Sequence, residues 1–382
     1  NVFDAKIHGA KVLVYSEVIE FIKEQDTIKG VKVLDHHTGI VTDYYAPVTV
    51  NAGGIWGHHI AQMAGANISM FPAKGALLIF AHRVNSVVIN RCRKPANADI
   101  LVPGDTVCVI GTTSTRVPYE ECDHLKVTPD EVDLLLTEGA KLAPCLAETR
   151  VLRAYAGVRP LVSADNDPSG RNISRGIVCL DHETRDGIKG FISITGGKLM
   201  TYRLMGEMAA DAVCKKLGRD AKCVTADTPL PGSEPGGIEE ISKKIWEVPT
   251  MVQKASVGRF GTQAANLDFD GDVKGSLVCE CEEVSVSEVD SAIENLEVNN
   301  LVDLRRRTRF GMGTCQGELC ACRAAGRLAK ARKCTAKARA DLKDFMDERW
   351  KGMYPVAWGE TLRESAYTQW VYSEVMGLGE EI

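Results

Sequence analysis

Apolar positions along this chain keep two rhythms, one of period two and one of period 3.6, and they exchange places several times. Residues 12–50 alternate and predict strands joined by turns, with Val12-Leu13-Val14-Tyr15 opening the first and Asp35-His36-His37-Thr38-Gly39 the expected hairpin turn. Val48-Thr49-Val50-Asn51 predicts a short buried strand that runs into Ala52-Gly53-Gly54. From 74 to 115 the pattern is β-rich again, at 76–80, 87–89 and 107–110. The helical period takes over at 129–142. Thr128 suits the cap, Pro129 the first position and Glu131 the reciprocal capping partner, while Val132, Leu135, Leu136 and Leu142 supply the apolar face. Further strands are expected at 152–156, 177–180 and 191–195. The last enters Gly196-Gly197-Lys198, ahead of a helix through Leu204, Met205, Met208 and Val213 that stops at Gly218.

Residues 227–237, rich in proline and glycine, read as a linker, and 266–275 as a second loose stretch. A cysteine-bearing module follows over 276–335, in which Ser287 is the expected cap of a helix through Val289, Ile293 and Leu296. The remainder is helical in character and carries Trp350, Trp358, Tyr367, Trp370 and Tyr372, which suit packing, a subunit interface or a membrane surface. The fold class expected is a multidomain mixture of α/β and α+β.

Composition narrows the chemistry. The 382 residues are 45% hydrophobic and 25% charged with a formal charge of −5, as in an ordinary water-soluble protein and without the basic surplus of a nucleic-acid binder. No apolar run reaches the length of a membrane span. Thirteen cysteines, many of them single within apolar stretches, read as reduced thiols rather than a disulfide scaffold.

Four of those cysteines stand apart. Cys279-Glu280-Cys281 and Cys315 to Cys320 form two close pairs with 33 residues (282 to 314) between them. Four thiolates suit zinc or an iron–sulfur cluster, and gaps of one and four residues fit a two-iron cluster better than the usual zinc spacing. Cys322 rivals Cys320, and Cys334 reads as a bystander. Arg305, Arg306, Arg307 and Arg309, just before Cys315, suit either the negative charge of a cluster or a solvated, partner-facing helix face.

The two glycine pairs have distinctive neighbours, in Asn51-Ala52-Gly53-Gly54-Ile55-Trp56 and in Ile194-Thr195-Gly196-Gly197-Lys198-Leu199-Met200-Thr201-Tyr202-Arg203. With Tyr155-Ala156-Gly157-Val158-Arg159-Pro160-Leu161 between them, they resemble FAD-dependent glycerol-3-phosphate dehydrogenases. The cysteine pairs and Arg305 to Cys315 narrow the resemblance to the large catalytic subunits of the bacterial anaerobic type. It covers essentially the whole chain. The family's opening βαβ unit with its GxGxxG loop is not in the sequence, which starts at Asn1 and reads as beginning partway along the family's length.

The resemblance implies an FAD-binding domain of glutathione-reductase type over 1–60 and 188–226, and a β-sheet substrate domain over 61–187. It further implies a connecting segment over 227–275, a [2Fe-2S] domain like bacterioferritin-associated ferredoxin over 276–335, and a helical tail over 336–382. Val18, Ala52, Gly53, Gly54, Gly196, Gly197, Lys198 and Leu199 would lie against FAD. Arg159, Lys198 and Arg175 would surround the substrate, which fits the affinity of guanidinium for phosphate oxygens. Cys279, Cys281, Cys315 and Cys320 would hold the cluster. The implied activity is oxidation of sn-glycerol 3-phosphate to dihydroxyacetone phosphate, with electrons passing to partner subunits and membrane quinone from a cytoplasmic, membrane-peripheral position. None of the eight histidines has a context that marks it as the general base. Two rivals remain open: an FAD-dependent enzyme acting on a 2-hydroxy acid, and a non-catalytic electron-transfer or scaffold fragment.

Overall fold

Alternating side chains and tight turns build four sheets in the computed structural model, which describes residues 1–162, 176–234, 250–270 and 273–379. Strands β1 (Ser16–Glu24), β2 (Thr27–Asp35) and β3 (Val41–Tyr45) form an antiparallel meander. The turn into β3 is the expected one: Asp35 Oδ1 accepts from the His37 N–H at 2.8 Å, and Gly39 takes φ +71°. Residues 12–15 do not extend β1. Tyr15 has φ +53°, and its hydroxyl donates to Asp303 at 2.6 Å and accepts from Asn300 Nδ2 at 2.8 Å, so this segment is fastened to the cysteine module instead of to a sheet. A helix over Val2–Ile7 precedes it. β4 (Thr49–Asn51) is the parallel partner of a later strand.

The large sheet contains β5 (Met70–Phe80), β6 (Ile89–Asn90), β7 (Ile100–Pro103), β8 (Cys108–Gly111), β9 (Thr115–Arg116) and β10 (Val151–Val162), in the order β10-β5-β8-β7-β6, with β9 also on β5. Residues 87–89, expected as a strand, give only the start of β6. Val87 and Val88 are exposed, and the Val87 carbonyl accepts from Asn85 Nδ2 in a loop. On β5 and β10 alternation separates two faces. Ala76, Leu78, Phe80 and Ala154, with Cys108 and Ile110 of β8, bury against the Pro129–Leu142 helix through Val132 and Leu135. Each large side chain so buried contributes about 1.5–3 kcal/mol. That helix starts at the Thr128/Glu131 capping box, with both reciprocal bonds formed. The opposite face carries Arg153, Tyr155, Gly157 and Arg159, facing Ile79, Leu77, Gly75 and Ala73 across the ladder.

β11 (Ile177–Asp181), β12 (Phe191–Gly196) and β4 make the third sheet, and the Tyr202–Lys216 helix leaves the end of β12 as expected, with Gly218 at φ +63° beyond it. In the cysteine module β13 (Leu277–Cys279) pairs with β14 (Val284–Ser285). The next helix, Val286–Asn295, is capped by Ser285, not by Ser287. Ser285 and Glu288 form the capping box, while Ser287 lies in the first turn and donates to the Asp268 and Lys274 carbonyls. One core joins Val289, Leu304, Phe310, Cys320 and Leu328 to Leu342, Phe345 and Tyr372 of the closing helices. Of the five aromatic residues singled out in the tail, Tyr372 is interior, and Trp350, Trp358, Tyr367 and Trp370 face outward.

Candidate functional site

Two glycine turns stand at neighbouring strand ends of the third sheet, because β4 and β12 run parallel and side by side. The first is fixed by Asn51. Its Nδ2 donates to the Gly57 carbonyl at 2.8 Å and to Ser193 Oγ at 3.1 Å, and its Oδ1 accepts from the Gly53 N–H at 3.1 Å. Behind Asn51 runs a buried polar chain. Ser193 Oγ meets His182 Nε2 at 2.8 Å, and His182 Nδ1 meets Asp186 Oδ2 at 2.5 Å, with His182 fully buried and stacked on Phe191. Both ring nitrogens are engaged, so His182 braces the turn. Nothing in the sequence marked it beyond the four-residue spacing from His182 to Asp186.

Gly54 takes φ +57° and has open space where a Cβ would project. Gly53 is closed on one side, its missing Cβ falling 2.4 Å from Ile60 Cδ1. At the second turn Gly196 and Gly197 have φ +76° and +70°. Thr195 just before them keeps a buried hydroxyl with no partner among the described residues, and Leu199 just after is 92% exposed. Open main chain, an orphaned hydroxyl and a bare apolar side chain at adjacent strand ends fit a flat ring system with polar edges, so these residues suit a flavin. Ala52 is exposed beside the first turn, and Val18 is half-buried on β1 opposite Val33.

Arg159 lies on the open face of the large sheet, so the site spans two sheets, with Lys198 exposed on the other. The Arg159 guanidinium donates to Thr112 Oγ1 at 2.5 Å, to the Thr113 carbonyl at 3.3 Å and to the Ala73 and Lys74 carbonyls at 3.4 Å. It crosses Gly75 so closely that a Cβ there would fall 2.4 Å from Nη2. Gly157, two residues along, has open space over it, and the result is a trough floored by glycine with a fixed cation at one end. The Thr112 loop is held from behind: Thr113 Oγ1 donates to Glu131 at 3.1 Å and accepts from the Ala76 N–H at 2.9 Å, and Lys74 donates to Glu131 at 2.8 Å. The glycines of this floor were not singled out in the sequence. Their signal is the placing of Gly75 and Gly157 directly opposite each other in register. Arg175 lies outside the described residues.

The four expected cysteines are brought together. Cys320 hydrogen-bonds Cys279 and Cys315, and Cys281 hydrogen-bonds Cys315. Among the described residues no group of three or more His, Cys, Asp or Glu side chains is set to hold a single metal ion, so the sulfurs meet pairwise. Main-chain N–H groups converge on them, from Gly311 and Glu282 onto Cys279 and from Leu319 and Gly317 onto Cys315. The Cys315 thiol is pulled well down by hydrogen bonds from Cys281 and Cys320, and Cys279 is lowered to about 7 by that of Cys320. Four sulfurs in contact, with N–H donors aimed at them, fit a bridged two-iron cluster, whose thiolates need that charge compensation. Gly313 permits the approach, since its Cβ would sit 2.4 Å from Cys281 Cβ. Cys322 is exposed and Cys334 half-buried, and all thirteen cysteines are free thiols.

The arginines divide between the two readings of that run. Arg305 is buried and donates to Gln316 Oε1 at 3.1 Å, beside Cys315. Arg306 faces solvent, Arg307 donates to the Leu296 carbonyl at 2.9 Å, and Arg309 pairs with Glu282 at 2.8 Å.

Comparison with known proteins agrees with this arrangement. Residues 3–203 match the family described as FAD dependent oxidoreductase, and residues 277–328 the BFD-like [2Fe-2S] binding domain. The chain is 56% identical over 381 residues to the A subunit of anaerobic glycerol-3-phosphate dehydrogenase from Haemophilus influenzae, spanning 100% of this chain and 68% of that protein. Against the same enzyme's A subunit from Escherichia coli K12 it is 58% identical over 382 residues, spanning 100% of this chain and 70% of the relative. The fold is shared with the glycerol-3-phosphate dehydrogenase from Bacillus halodurans complexed with FAD, at a TM-score of 0.70 and 22% identity, over 94% of this chain and 73% of that one.

Proposed function

The chain belongs to the family of the A subunits of anaerobic glycerol-3-phosphate dehydrogenase, FAD dependent oxidoreductases with a BFD-like [2Fe-2S] domain, and on that premise we propose that it oxidises sn-glycerol 3-phosphate to dihydroxyacetone phosphate. Electrons then pass through the cluster to other subunits and on to membrane quinone. The observation that carries this reading is Arg159, fixed by Thr112, Thr113 and two main-chain carbonyls at the end of a glycine-floored trough.

Arg159 receives the phosphate. Its planar guanidinium is already oriented, so gripping the oxygens costs little further side-chain freedom. Gly75 leaves room for the Arg159 guanidinium itself, and Gly157 leaves room for the three-carbon body along the sheet. Lys198 adds positive charge on the substrate's other side, Arg175 is a further candidate cation outside the described residues, and Gly53, Gly54, Gly196, Gly197 and Leu199 bear the cofactor. When bound, the flavin accepts the hydride from the carbon bearing the secondary hydroxyl, and the cluster accepts electrons singly. His182, occupied at both nitrogens, does not take the hydroxyl proton.

Cys279, Cys281, Cys315 and Cys320 hold the cluster. Leu319, between two of these ligands in sequence, is 60% exposed, and Glu280, between the other two, pairs with Arg323. This edge is where a partner docks to collect electrons. The chain works at the cytoplasmic face as a peripheral component and reaches quinone through its partners. Among the described residues no helix is long and apolar enough to cross a membrane, which is consistent with that placement.

Replacing Arg159 with alanine is expected to lower kcat/KM for sn-glycerol 3-phosphate by about 100-fold, the equivalent of ~2.7 kcal/mol, with flavin content unchanged. Steady-state kinetics on flavin-loaded protein checks this. Unaltered kcat/KM would remove the clamp from Arg159, and turnover of a 2-hydroxy acid in place of the phosphate ester would select the rival activity.

A further inference from the structure

On the same face of β10 as Arg159, six residues earlier, stands Arg153. It is 7% exposed, and its Nη2 donates to Glu348 Oε1 at 3.2 Å and to the Glu348 carbonyl at 3.4 Å. Its Nη1 is buried with no partner among the described residues. Arg153 lines a cavity of about 600 Å³ between the large sheet and the cysteine module, the size of a small-molecule site. Ile79, Val107 and Val109 wall it from the sheet, and Arg305, Arg306 and Arg309 line it from the module.

The charges of this cleft do not cancel. Arg153 faces Glu348, and Arg309 faces Glu282 at 2.8 Å and Asp105 at 3.1 Å. Arg305, also 7% exposed, spends its hydrogen bond on the neutral Gln316 side chain, and Arg306 lies exposed at the rim. Neither forms an ion pair among the described residues. Burial, followed by repulsion from Arg153, pulls Arg305 down to about 9 against the attraction of Glu348 and Cys320. A buried donor without a partner and a buried guanidinium, Arg305, without a carboxylate ion pair carry a desolvation cost that an anion among them would offset, and Arg306 adds its charge from the exposed rim.

We propose that this cleft is a second oxyanion site, built for the phosphate group of a small phosphorylated metabolite and separate from the Arg159 end of the trough. A phosphate monoester carries nearly two negative charges and several acceptor oxygens, which match the Arg305 and Arg306 guanidinium groups and the one open Arg153 N–H. The apolar wall takes the carbon skeleton. Six extended residues separate Arg153 from Arg159 by about 20 Å, beyond the reach of one three-carbon ligand. Through Arg305 and Gln316 the site adjoins Cys315, so its occupant sits next to the cluster.

Calorimetric titration of inorganic phosphate into oxidised protein loaded with flavin and cluster tests this. Two saturable components are expected. Arg159→Ala should remove one and leave the other, while Arg153→Gln or Arg306→Ala should weaken the other about tenfold or more, as loss of a charged hydrogen bond does. Arg306 is exposed, so R306A decides the matter if R153Q does not fold. A single component lost with R159A, or a remaining component that R306A leaves unchanged, overturns the second site. The use of R159A rests on the substrate reading above. Should that reading alone fail, R159A would leave the isotherm untouched while R306A still weakened one component.

Discussion

Cys320 and Cys322 are two residues apart, and the protein treats them oppositely. Cys320 is fully buried against Cys279 and Cys315 at the start of the Ala321–Arg332 helix, and Cys322, one residue into that helix, is exposed. Spacing in the sequence left both open, because the choice depends on which side of the helix start faces the core. Cys320→Ser is accordingly expected to reduce iron from about two per chain to near zero, while Cys322→Ser keeps the full complement. Iron and acid-labile sulfide analysis reads the result, and equal loss in both variants would shift the fourth ligand. Other residue-level features were hidden for the same reason. His182 and Thr195 gain meaning only when β4, β11 and β12 assemble, and Arg153 only when the cysteine module closes over the large sheet. Arg159, by contrast, was singled out as a candidate from its setting among small and apolar neighbours.

Elements whose signals are local were read well. The Pro129–Leu142 helix announces itself through Thr128, Pro129, Glu131 and the spacing of its apolar face, and the structure forms each of these features. It also gives Glu131 a second task, anchoring Lys74 and Thr113 behind Arg159, which no local pattern reveals. Ser285 was missed in favour of Ser287 because either serine could open the same helix. The deciding residue is Glu288, three positions after Ser285, which completes a capping box while pairing with Arg259 at 2.7 Å. Arg259 also donates to the Glu282 and Glu283 carbonyls at 2.9 and 2.8 Å, so the cap is tied to the loop that follows Cys281. Ser285→Ala is expected to cost about 1 kcal/mol, while Ser287→Ala costs less because its bonds are to a surface segment. Differential scanning calorimetry of the cluster-loaded protein measures both. A smaller loss for Ser285→Ala than for Ser287→Ala would contradict the assignment of the cap.

At the scale of the whole molecule, the large sheet presents one covered and one working face. The covered face supplies a core with the Pro129–Leu142 helix. The working face begins at Arg159, runs past Gly157 and Tyr155, and reaches Arg153 under the cysteine module. One strand thus links Arg159, the proposed substrate end, to the cluster end. Trp350, Trp358, Tyr367 and Trp370, exposed on the closing helices, add an aromatic surface outside this route. The chain length and the two cysteine pairs signalled a multidomain redox protein, yet periodicity alone gave no means of placing the cluster against the far end of the large sheet. The decisive measurement is an anaerobic single turnover of flavin- and cluster-loaded protein with sn-glycerol 3-phosphate, frozen and read by electron paramagnetic resonance alongside flavin absorbance. The account predicts that flavin bleaching is followed by the signal of a reduced [2Fe-2S] cluster. Bleached flavin beside a cluster that stays oxidised would contradict it.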